Sequence, residues 1–513
     1  MANQLSAIKY VVQLMLENRS FDQMLGFLYP GQRSPANKPF AGLTGKESNP
    51  DGTGRVIQVF PIDNTKPHPY LMPGADPGEG FQNTSFQLFS TDDPEQNAIP
   101  TNDGFVINFK AAIASDQARK FKDSLPGTDP SEIMGMYHPT MLPILSGLAK
   151  GFAVCDQWFA SVPTMTMPNR AFACAATSQG HLKDNVTTYT CASIFGRLSD
   201  RDQDWAIYGY NSDPKTRLDF ADTQQAAENH FGHFRDFQAR AQAGTLPPYT
   251  FLEPDWGSAG NSQHPNYDVS LGEQLIHDVY YAVRNGKGWD DTLLIITYDE
   301  HGGNYDHVPP PWGATPPDDA VGEQGFDFTR FGVRVPAVLV SPRIAPGTIF
   351  RAARGTIDHT SVLKTLALRW NLEPLTQRDK AAPDLGDVLT LAAPRVDDPL
   401  QGVAVPVSSG SHPNASTPSI IQKLHAAQVA DLPVRNDKGS YDQHTPPDLS
   451  TTADITDYIQ ARTAAWTQHL ARLRHRRAGK APSGAVVRQG TKQKKTSRSA
   501  VRRASKKSAR KKR

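Results

Sequence analysis

The sequence predicts an α/β fold, with a mostly parallel central sheet flanked by helices, a long loop-rich insertion and a disordered basic C-terminal tail. Apolar runs of strand length alternate with amphipathic stretches of helix length, which is the pattern of a parallel sheet covered on both faces. The 513 residues are 38% hydrophobic, enough to bury a large core. No collagen-like, solenoid or coiled-coil repeat is present, and no apolar run reaches the roughly 18 residues of a membrane span.

Five apolar runs are predicted to be strands. The three longer ones span residues 8–16, 291–299 and 334–341, and the second is rich in β-branched residues. Two shorter candidates span residues 205–208 and 249–252.

Four stretches between and after these runs are predicted to be helices. They span residues 142–150, 169–177, 269–285 and 360–370. The last two carry apolar residues at three- and four-residue spacing, which places those residues on one face of a helix.

The domain organisation follows from shifts in composition. Residues 1–404 are the predicted catalytic domain, and within it residues 30–130 are dense in Pro, Gly, Asn and Asp. That segment is expected to be a loop-rich insertion on the body and a candidate substrate entrance. Residues 405–475 are predicted to be a linker followed by helices that pack on the body. Residues 476–513 have almost nothing to bury and are expected to be disordered.

Charge is unevenly distributed along the chain. Residues 472–513 contain 18 Lys and Arg and no Asp or Glu, whereas residues 1–471 carry a net charge of −16. The tail could bind an anionic membrane or the phosphates of nucleic acid, in either case with strong salt dependence. Aromatic residues are absent from it, which argues against base stacking. A solubilising tail that neutralises the acidic body is an equally weighted alternative.

Polar residues follow the predicted strands at the ends where α/β proteins bind ligands. Glu17 and Asn18 follow the first strand, and Asp299 and Glu300 follow the run that begins at residue 291. Adjacent carboxylates repel each other unless a cation or a raised pKa relieves them. A divalent metal ion would explain the pair, and a solvated acidic turn is the structural alternative.

Thr166 is the candidate nucleophile. Pro168 lies two residues later, which suits the first turn of a helix and puts Thr166 at or just before the N-cap. A hydroxyl there faces free backbone N–H groups and the positive end of the helix dipole, where a phosphate also binds. Simple capping of the helix is the structural alternative, and Thr164 is the competing hydroxyl.

Six segments together resemble one known family. They are Glu17-Asn-Arg-Ser-Phe-Asp22, Tyr137-His-Pro139, Pro163-Thr-Met-Thr-Met-Pro-Asn-Arg170, Tyr298-Asp-Glu-His-Gly-Gly-Asn-Tyr-Asp-His-Val-Pro-Pro-Pro311, Arg334-Val-Pro336 and Asp358-His-Thr-Ser-Val-Leu363. In this order they resemble the bacterial phospholipase C and acid phosphatase family of the alkaline-phosphatase-like superfamily. The resemblance covers about residues 8–375.

The resemblance implies a phosphoesterase whose hydroxyl nucleophile is transiently phosphorylated and whose strand-end residues hold one divalent metal ion. Glu17 and Asn18 match the first metal-binding pair, Asp299 and Glu300 match the second, and Thr166 matches the nucleophile, which also contacts the metal ion. Oxygen-rich ligands suit Mg²⁺, Ca²⁺ or Mn²⁺ and leave Zn²⁺ open.

Four histidines are further candidates for the catalytic site. His307 extends the loop that follows Asp299 and is placed to protonate a leaving group. His138, His264 and His359 each precede or follow a Pro or helix-like segment, and singly each fits an ordinary structural role. The resemblance implies that all four bind phosphate or protonate the leaving group.

Two substrate classes follow from the resemblance. The first is a phospholipid of the phosphatidylcholine type, cut into diacylglycerol and a phosphorylated head group. The alternative is a small phosphomonoester, as in an acid phosphatase. A third hypothesis, from another class, is a membrane- or nucleic-acid-binding protein that acts through its basic tail. Oligomeric state is left open.

Two departures from the family bear on location. Several phospholipase members carry β-rich C-terminal repeats, where this chain has helices and a basic tail. Residues 8–16 resemble the core of a signal peptide, but Glu17 follows at once and there is no A-x-A-like cleavage site. We therefore expect a bacterial protein that is cytoplasmic or exported by a route without a cleaved leader.

Overall fold

The computed structural model describes residues 3–119, 124–186, 188–410, 415–434 and 449–478. Contacts divide the chain into two units, residues 1–467 and residues 468–513. Of the second unit, the described part is the end of one helix. The tail predicted to be disordered spans residues 476–513. Of these, only residues 476–478 are described, and they belong to that helix.

Twelve strands are found among the described residues. In chain order they are β1 Tyr10–Leu16, β2 Ser48–Pro50, β3 Val56–Gln58, β4 Phe60–Ile62, β5 Gly135–Tyr137, β6 Ala153–Val154, β7 Trp205–Gly209, β8 Phe231–His233, β9 Tyr249–Leu252, β10 Thr292–Tyr298, β11 Ala337–Val340 and β12 Thr348–Ile349.

Fourteen α-helices are found in the same ranges. In chain order they are α1 Phe21–Leu25, α2 Phe81–Phe89, α3 Phe105–Arg119, α4 Pro143–Gly151, α5 Thr166–Ala175, α6 Ile194–Ser199, α7 Thr216–Asp219, α8 Ala221–Gln224, α9 Phe234–Ala243, α10 Val269–Arg284, α11 Thr360–Trp370, α12 Gln377–Ala381, α13 Ile420–Asp431 and α14 Thr452–Ala478. None of these helices is both long enough and apolar enough to cross a membrane.

Eight strands form the central sheet in the order β12-β6-β11-β10-β1-β9-β7-β8. β1 lies at its centre and pairs in parallel with β10 and β9. β11 runs antiparallel to both of its neighbours, so seven strands run one way and one runs the other. The mostly parallel sheet predicted from the sequence is confirmed. β1 and β10 are fully buried except at Tyr10, as expected for strands covered by helices on both faces.

All five predicted strands are present, with shifts at their ends. The largest shift is at the segment predicted as 334–341, which is a strand only from Ala337 to Val340. Pro336 cannot donate a hydrogen bond to a neighbouring strand, and the regular pairing with β10 begins at Ala337. Before it, Arg334 forms an isolated antiparallel bridge with Phe159.

The helix that carries Thr166 begins earlier than predicted. α5 starts at Thr166 rather than at residue 169, because Pro168 is accommodated within the first turn, where backbone N–H groups have no partner inside the helix. The predicted helix at 360–370 is found with those bounds, and the one at 269–285 differs by one residue.

The insertion at 30–130 is more regular than the sequence indicated. Besides its loops it contains α2 and α3, and the buried face of α3 includes Phe105, Val106, Phe109 and Ile113. These residues join Leu88, Met134 and Met136 in a hydrophobic cluster separate from the main core. Their three- and four-residue spacing is a helix signal that the high content of Pro and Gly obscured.

Helix α13, and helix α14 as far as residue 467, belong to the first unit and pack on its other elements. Gln428 on α13 donates to Asp219 at 2.7 Å, and Arg462 on α14 donates to three carbonyls at the end of α13, those of Val429, Ala430 and Leu432. The boundary predicted at residue 404 stays a prediction.

Candidate active site

The two central strands bring the predicted metal-binding pairs together. Leu16 is in register with Tyr298 across β1 and β10, so the residues that follow both strands leave the sheet at the same edge. The backbone N–H of Asn18 donates to Oδ1 of Asp299 at 3.2 Å. Glu17, Asn18, Asp299 and Glu300 are all buried.

Thr166 meets this edge from the N-terminus of α5. Its hydroxyl donates to Oδ1 of Asn18 at 3.2 Å. The N-cap is Met165, and the N–H of Met167 is satisfied by Oδ1 of Asp184 at 2.7 Å. Thr166 therefore does not act as the cap of its helix, and its hydroxyl faces the predicted metal-binding residues.

The competing hydroxyl points elsewhere. Oγ1 of Thr164 donates to the carbonyl of Leu182 at 2.7 Å. Asn169, which sequence reasoning did not single out, bonds to the backbone of Val162, Thr164 and Met165. It holds the loop that places Thr166 at the start of the helix.

Arg170 is a second residue that sequence reasoning did not assign. Its Nε donates to Oδ2 of Asp299 at 2.8 Å, and its Nη2 donates to the carbonyls of Met15 and Leu16 at 3.1 Å. Because Arg170 lies one turn after Thr166, it fixes α5 to the ends of β1 and β10 together. Its place in the string Pro163 to Arg170 was the only available signal.

The structure adds three acids to the predicted site. Asp76 and Glu79 come from the insertion, and Asp184 comes from the loop after α5. Oε2 of Glu79 accepts from Nδ2 of Asn18 at 2.7 Å, and the carboxyl groups of Glu79 and Glu300 lie within hydrogen-bond reach of each other. We call the set the acidic cluster, and its members are Glu17, Asp76, Glu79, Asp184, Asp299 and Glu300.

Mutual repulsion and burial raise the pKa values in the acidic cluster. Burial, and then the charge of Asp299, raise the pKa of Glu17 to about 8. Burial raises the pKa of Asp184 to about 7. Burial, and then the charges of Glu79 and Asp299, raise the pKa of Glu300 well above its ordinary value. Arg170 opposes the rise at Asp299 and Glu17.

These residues fit a divalent cation. Oε1 of Glu17 and Oε1 of Glu300 are buried and have no hydrogen-bond partner among the described residues. A buried carboxylate oxygen without a donor is costly unless a cation satisfies it. The surrounding donors are carboxylate, amide and hydroxyl oxygens, which hard divalent cations prefer.

His359 lies beside the cluster with both ring nitrogens in use. Its Nε2 contacts the carbonyl of Asp299 at 2.6 Å, and its Nδ1 accepts from Nε1 of Trp158 at 3.3 Å. Burial lowers its pKa to about 4. In this arrangement the imidazole is neutral and holds the backbone of Asp299.

His307 belongs to a neighbouring buried ion network. Its Nδ1 lies 2.6 Å from Oδ2 of Asp22, and Arg334 donates to both Asp22 and Asp306 at 2.9 Å. Burial lowers the pKa of His307, but the charge and hydrogen bond of Asp22 outweigh burial and raise it overall. A partly exposed imidazole that is oriented by a carboxylate and has a raised pKa is suited to give up a proton.

The other two predicted histidines lie in different surroundings. Nε2 of His264 is 4.0 Å from Oε2 of Glu79, which places this ring at the acidic cluster. His138 is exposed, with Nδ1 at 2.8 Å from Oγ1 of Thr140. The hydrogen bonds found for His138 among the described residues do not join it to Thr166 or to the strand ends.

His301 connects the cluster to the insertion. Its Nδ1 lies 3.2 Å from Oε2 of Glu300. Its Nε2 lies 2.8 Å from Oε1 of Gln87 on α2, and Gln87 is held in turn by the carbonyl of Gly78. The insertion therefore supports the orientation of a predicted metal-binding carboxylate.

The strand-end acidic cluster and the hydroxyl at the N-terminus of α5 lie together at the carboxyl edge of the sheet, where α/β proteins bind ligands. The chain belongs to the Phosphoesterase family, whose model matches residues 8–373. It is a phospholipase C-like phosphoesterase, a hydrolase that acts on phosphoric ester bonds.

Sequence similarity to two named phospholipases C agrees with this assignment. The chain is 37% identical to non-specific phospholipase C6 of Arabidopsis thaliana over 77% of this chain and 75% of that protein. It is 28% identical to phospholipase C B of Mycobacterium tuberculosis over 76% of this chain and 79% of that protein. A crystal structure from Vibrio parahaemolyticus, described as a protein of the alkaline phosphatase superfamily, is 10% identical with a TM-score of 0.31 and covers 64% of this chain and 82% of that one.

Proposed function

We propose that this protein hydrolyses phosphatidylcholine-type phospholipids as a phospholipase C, through a phosphorylated Thr166. The observation that carries the proposal is the position of the Thr166 hydroxyl. It lies 3.2 Å from Asn18 at the edge where β1 and β10 end, at the N-terminus of α5. The names of the relatives point to lipid substrates.

In the first step the hydroxyl of Thr166 gives up its proton to a water molecule and its oxygen attacks phosphorus. The bond from phosphorus to the glycerol oxygen breaks, and diacylglycerol leaves with a proton. Asn18 accepts the hydrogen bond that orients the hydroxyl. The dipole at the start of α5 stabilises negative charge on the phosphoryl oxygens.

His307 is the proposed donor of the proton to the leaving group. Asp22 holds its Nδ1 and raises its pKa, which favours the protonated form of the ring. In the second step water attacks the phosphorus of phospho-Thr166, releases the phosphorylated head group and restores the hydroxyl.

Glu17, Asn18, Asp299 and Glu300, with Thr166, are the residues that would hold a divalent cation. When bound, such a cation lowers the pKa of a hydroxyl and neutralises charge on a phosphoryl oxygen. Arg170 fixes Asp299 in the orientation that this role requires, and His359 fixes its backbone carbonyl.

The test compares the purified protein with Thr166→Ala on phosphatidylcholine vesicles and on p-nitrophenyl phosphate, before and after chelation. We expect release of phosphocholine and diacylglycerol, loss of turnover in the variant, and an acid-quenched intermediate phosphorylated on Thr166 by mass spectrometry. Efficient hydrolysis of the monoester with intact lipid would instead identify an acid phosphatase-type enzyme. Full turnover by Thr166→Ala would exclude the phospho-threonine route.

The basic tail is proposed to hold the enzyme on an anionic membrane. Residues 479–513 lie outside the described residues, so this proposal depends on the charge pattern alone. Deletion of residues 478–513 should weaken binding to anionic vesicles at low salt and leave binding at high salt unchanged. Loss of DNA binding rather than vesicle binding would assign the tail to nucleic acid, and no change in either would leave a solubilising role.

A further inference from the structure

We propose that Trp256 is a positioning residue for Thr166, because its indole ring lies against the guanidinium of Arg170 on the same helix. The central carbon of that guanidinium, Cζ, is 4.5 Å from the centre of the ring. Both side chains are buried, each with 4% of its surface exposed. A cation over an aromatic ring is held more strongly when the pair is withdrawn from water.

The hydrogen bonds of Arg170 leave part of its guanidinium to the ring. Nε donates to Oδ2 of Asp299 at 2.8 Å, and Nη2 donates to the carbonyls of Met15 and Leu16 at 3.1 Å. Nη1 is buried and has no hydrogen-bond partner among the described residues. Trp256 therefore supplies a further restraint on a guanidinium whose third nitrogen is not held by a hydrogen bond.

The place of Arg170 bears directly on the reacting hydroxyl. Arg170 lies one turn after Thr166 on α5, and the hydroxyl of Thr166 donates to Oδ1 of Asn18 at 3.2 Å. A shift of the guanidinium moves the start of the helix relative to the sheet edge. Misplacement of reacting groups by about 1 Å can lower a rate by about 100-fold. The ring thus acts on Thr166 through Arg170.

The segment that carries Trp256 leaves the sheet at the same edge as the acidic cluster. Leu252, at the end of β9, pairs in parallel with Leu14 of β1. Residues 253–262 follow β9, and the carbonyl of Ser262 accepts from the N–H of Glu17 at 2.9 Å. We call residues 253–262 the β9 loop. It is the third strand-end segment at this edge, beside those that follow β1 and β10.

Local hydrogen bonds fix the β9 loop around Trp256. The N–H of Asp255 donates to Oδ1 of Asn261 at 2.7 Å, and Oδ1 of Asp255 accepts from the N–H of Gly257 at 3.0 Å. Oγ of Ser258 donates to the carbonyl of Thr417 at 3.3 Å, in the segment before α13. The backbone on both sides of Trp256 is therefore held, and its ring has a defined place against Arg170.

Trp289 offers a matched comparison for an effect of packing alone. Both tryptophans belong to the main hydrophobic core, and Trp289 also lies beside a guanidinium, with Cζ of Arg284 at 5.5 Å from its ring centre. Trp289 lies just before β10, whereas Asp299 follows this strand. The two tryptophans thus make the same kind of contact at opposite ends of the sheet, and only one of them borders the site.

The inference rests on the proposed function for the role of Thr166. The test measures kcat and KM of the full-length protein with phosphatidylcholine and with p-nitrophenyl phosphate. Trp256→Leu should lower kcat by about 10–100-fold on both substrates. KM should change by less than about threefold, because Trp256 contacts Arg170 and not the substrate. Trp256→Phe keeps an aromatic face and should recover most of kcat. Trp289→Leu should keep kcat within about twofold.

A second measurement tests the contact itself without reference to activity. Melting temperatures are compared for Trp256→Leu, Arg170→Met and the combined variant. If the ring and the guanidinium stabilise each other, the combined variant loses less than the sum of the two single losses. Trp289→Leu combined with Arg170→Met removes no shared contact and should lose the sum.

An unchanged kcat in Trp256→Leu would overturn the inference, as would an equal fall of kcat in Trp289→Leu. Additive losses of melting temperature for Trp256→Leu and Arg170→Met would also overturn it. Failure of the proposed function gives a different pattern. Thr166→Ala would then keep full turnover, whatever the melting temperatures show for Trp256 and Arg170. The two proposals can therefore fail separately.

Discussion

The hydroxyl of Thr166 lies 3.2 Å from Oδ1 of Asn18, although 148 positions separate the two residues in the chain. One is the first residue of α5 and the other follows β1. The N-terminus of α5 meets the edge of the central sheet here because of Arg170, one turn further along the helix. Arg170 donates to the carbonyls at the end of β1 and to Asp299 after β10. Thr166 is thus positioned by a buried ion pair.

Replacing Thr166 with alanine should lower turnover of both lipid and monoester by about three orders of magnitude or more, because the attacking oxygen is lost. Thr166→Ser should keep measurable turnover. The matched control is Thr164→Ala, which removes a hydroxyl bonded to Leu182; it should cost about 1 kcal/mol of unfolding free energy and spare turnover. Initial rates and urea unfolding measure both effects, and a loss of turnover in Thr164→Ala alone would reverse the assignment.

Replacing Arg170 with methionine should destabilise the fold by about 3–5 kcal/mol, because it leaves Asp299 buried without its partner. Arg170→Lys should recover only part of the stability that Arg170→Met loses, since an ammonium group cannot donate to Asp299 and two carbonyls in the same planar arrangement. Arg235→Lys, at an exposed position, should change the unfolding free energy by less than about 0.5 kcal/mol. Chemical unfolding measures the unfolding free energy of all three variants. An Arg170→Met variant as stable as the unmodified protein would show that the ion pair is not needed for stability.

Replacing His307 with glutamine should affect substrates according to their leaving group. Release of diacylglycerol needs a proton, so turnover of phosphatidylcholine should fall by about 10²–10⁴-fold. Release of p-nitrophenolate needs no proton, so the rate with p-nitrophenyl phosphate should fall by less than about tenfold. His277→Gln, on α10 and paired with Asp278, is the control. Equal losses on both substrates would argue that His307 has another role.

Glu273 should give the fold an unusual dependence on pH. Burial raises its pKa from 4.5 to about 8, so the folded protein keeps a proton that the unfolded chain has released between these values. The free energy of unfolding therefore falls as pH rises through this interval, by on the order of a few kcal/mol for this group. Its side chain accepts from the N–H groups of Ile144 and Leu145.

Glu273→Gln cannot titrate, so its stability relative to the unmodified protein should improve steadily from about pH 5 to about pH 8. Urea unfolding at several pH values in this range measures the difference. Glu95→Gln, at an exposed position, should show no such trend. A constant difference between Glu273→Gln and the unmodified protein would mean that Glu273 is ionised in the fold throughout.

Much of the sheet could be predicted because its central strands have a local signature. β1, β9 and β10 are continuous apolar runs, and α10 and α11 carry apolar residues at helical spacing. The start of β11 was misplaced, since the regular pairing with β10 begins only after Pro336. Apolar content alone does not mark where the pairing with a neighbouring strand begins.

The site could be predicted where polar residues directly follow strands, and the resemblance to a family added the role of each. Glu17, Asn18, Asp299 and Glu300 meet as expected. Glu79 and Asp184 could not be found in this way, because they lie in loops whose path depends on tertiary contacts. His138 was predicted to lie in the site, but the side-chain hydrogen bond found for it leads to Thr140 rather than to Thr166.

The sequence by itself determined the sheet, the strand-end acids and a hydroxyl at a helix N-terminus, because periodicity, turn residues and capping are encoded within a few neighbouring positions. The tertiary structure decided which of these groups touch. It placed Thr166 against Asn18, used both nitrogens of His359 and added Glu79 to the acidic cluster. Burial then set the charges, since a carboxylate withdrawn from water needs a proton, an arginine or a cation beside it.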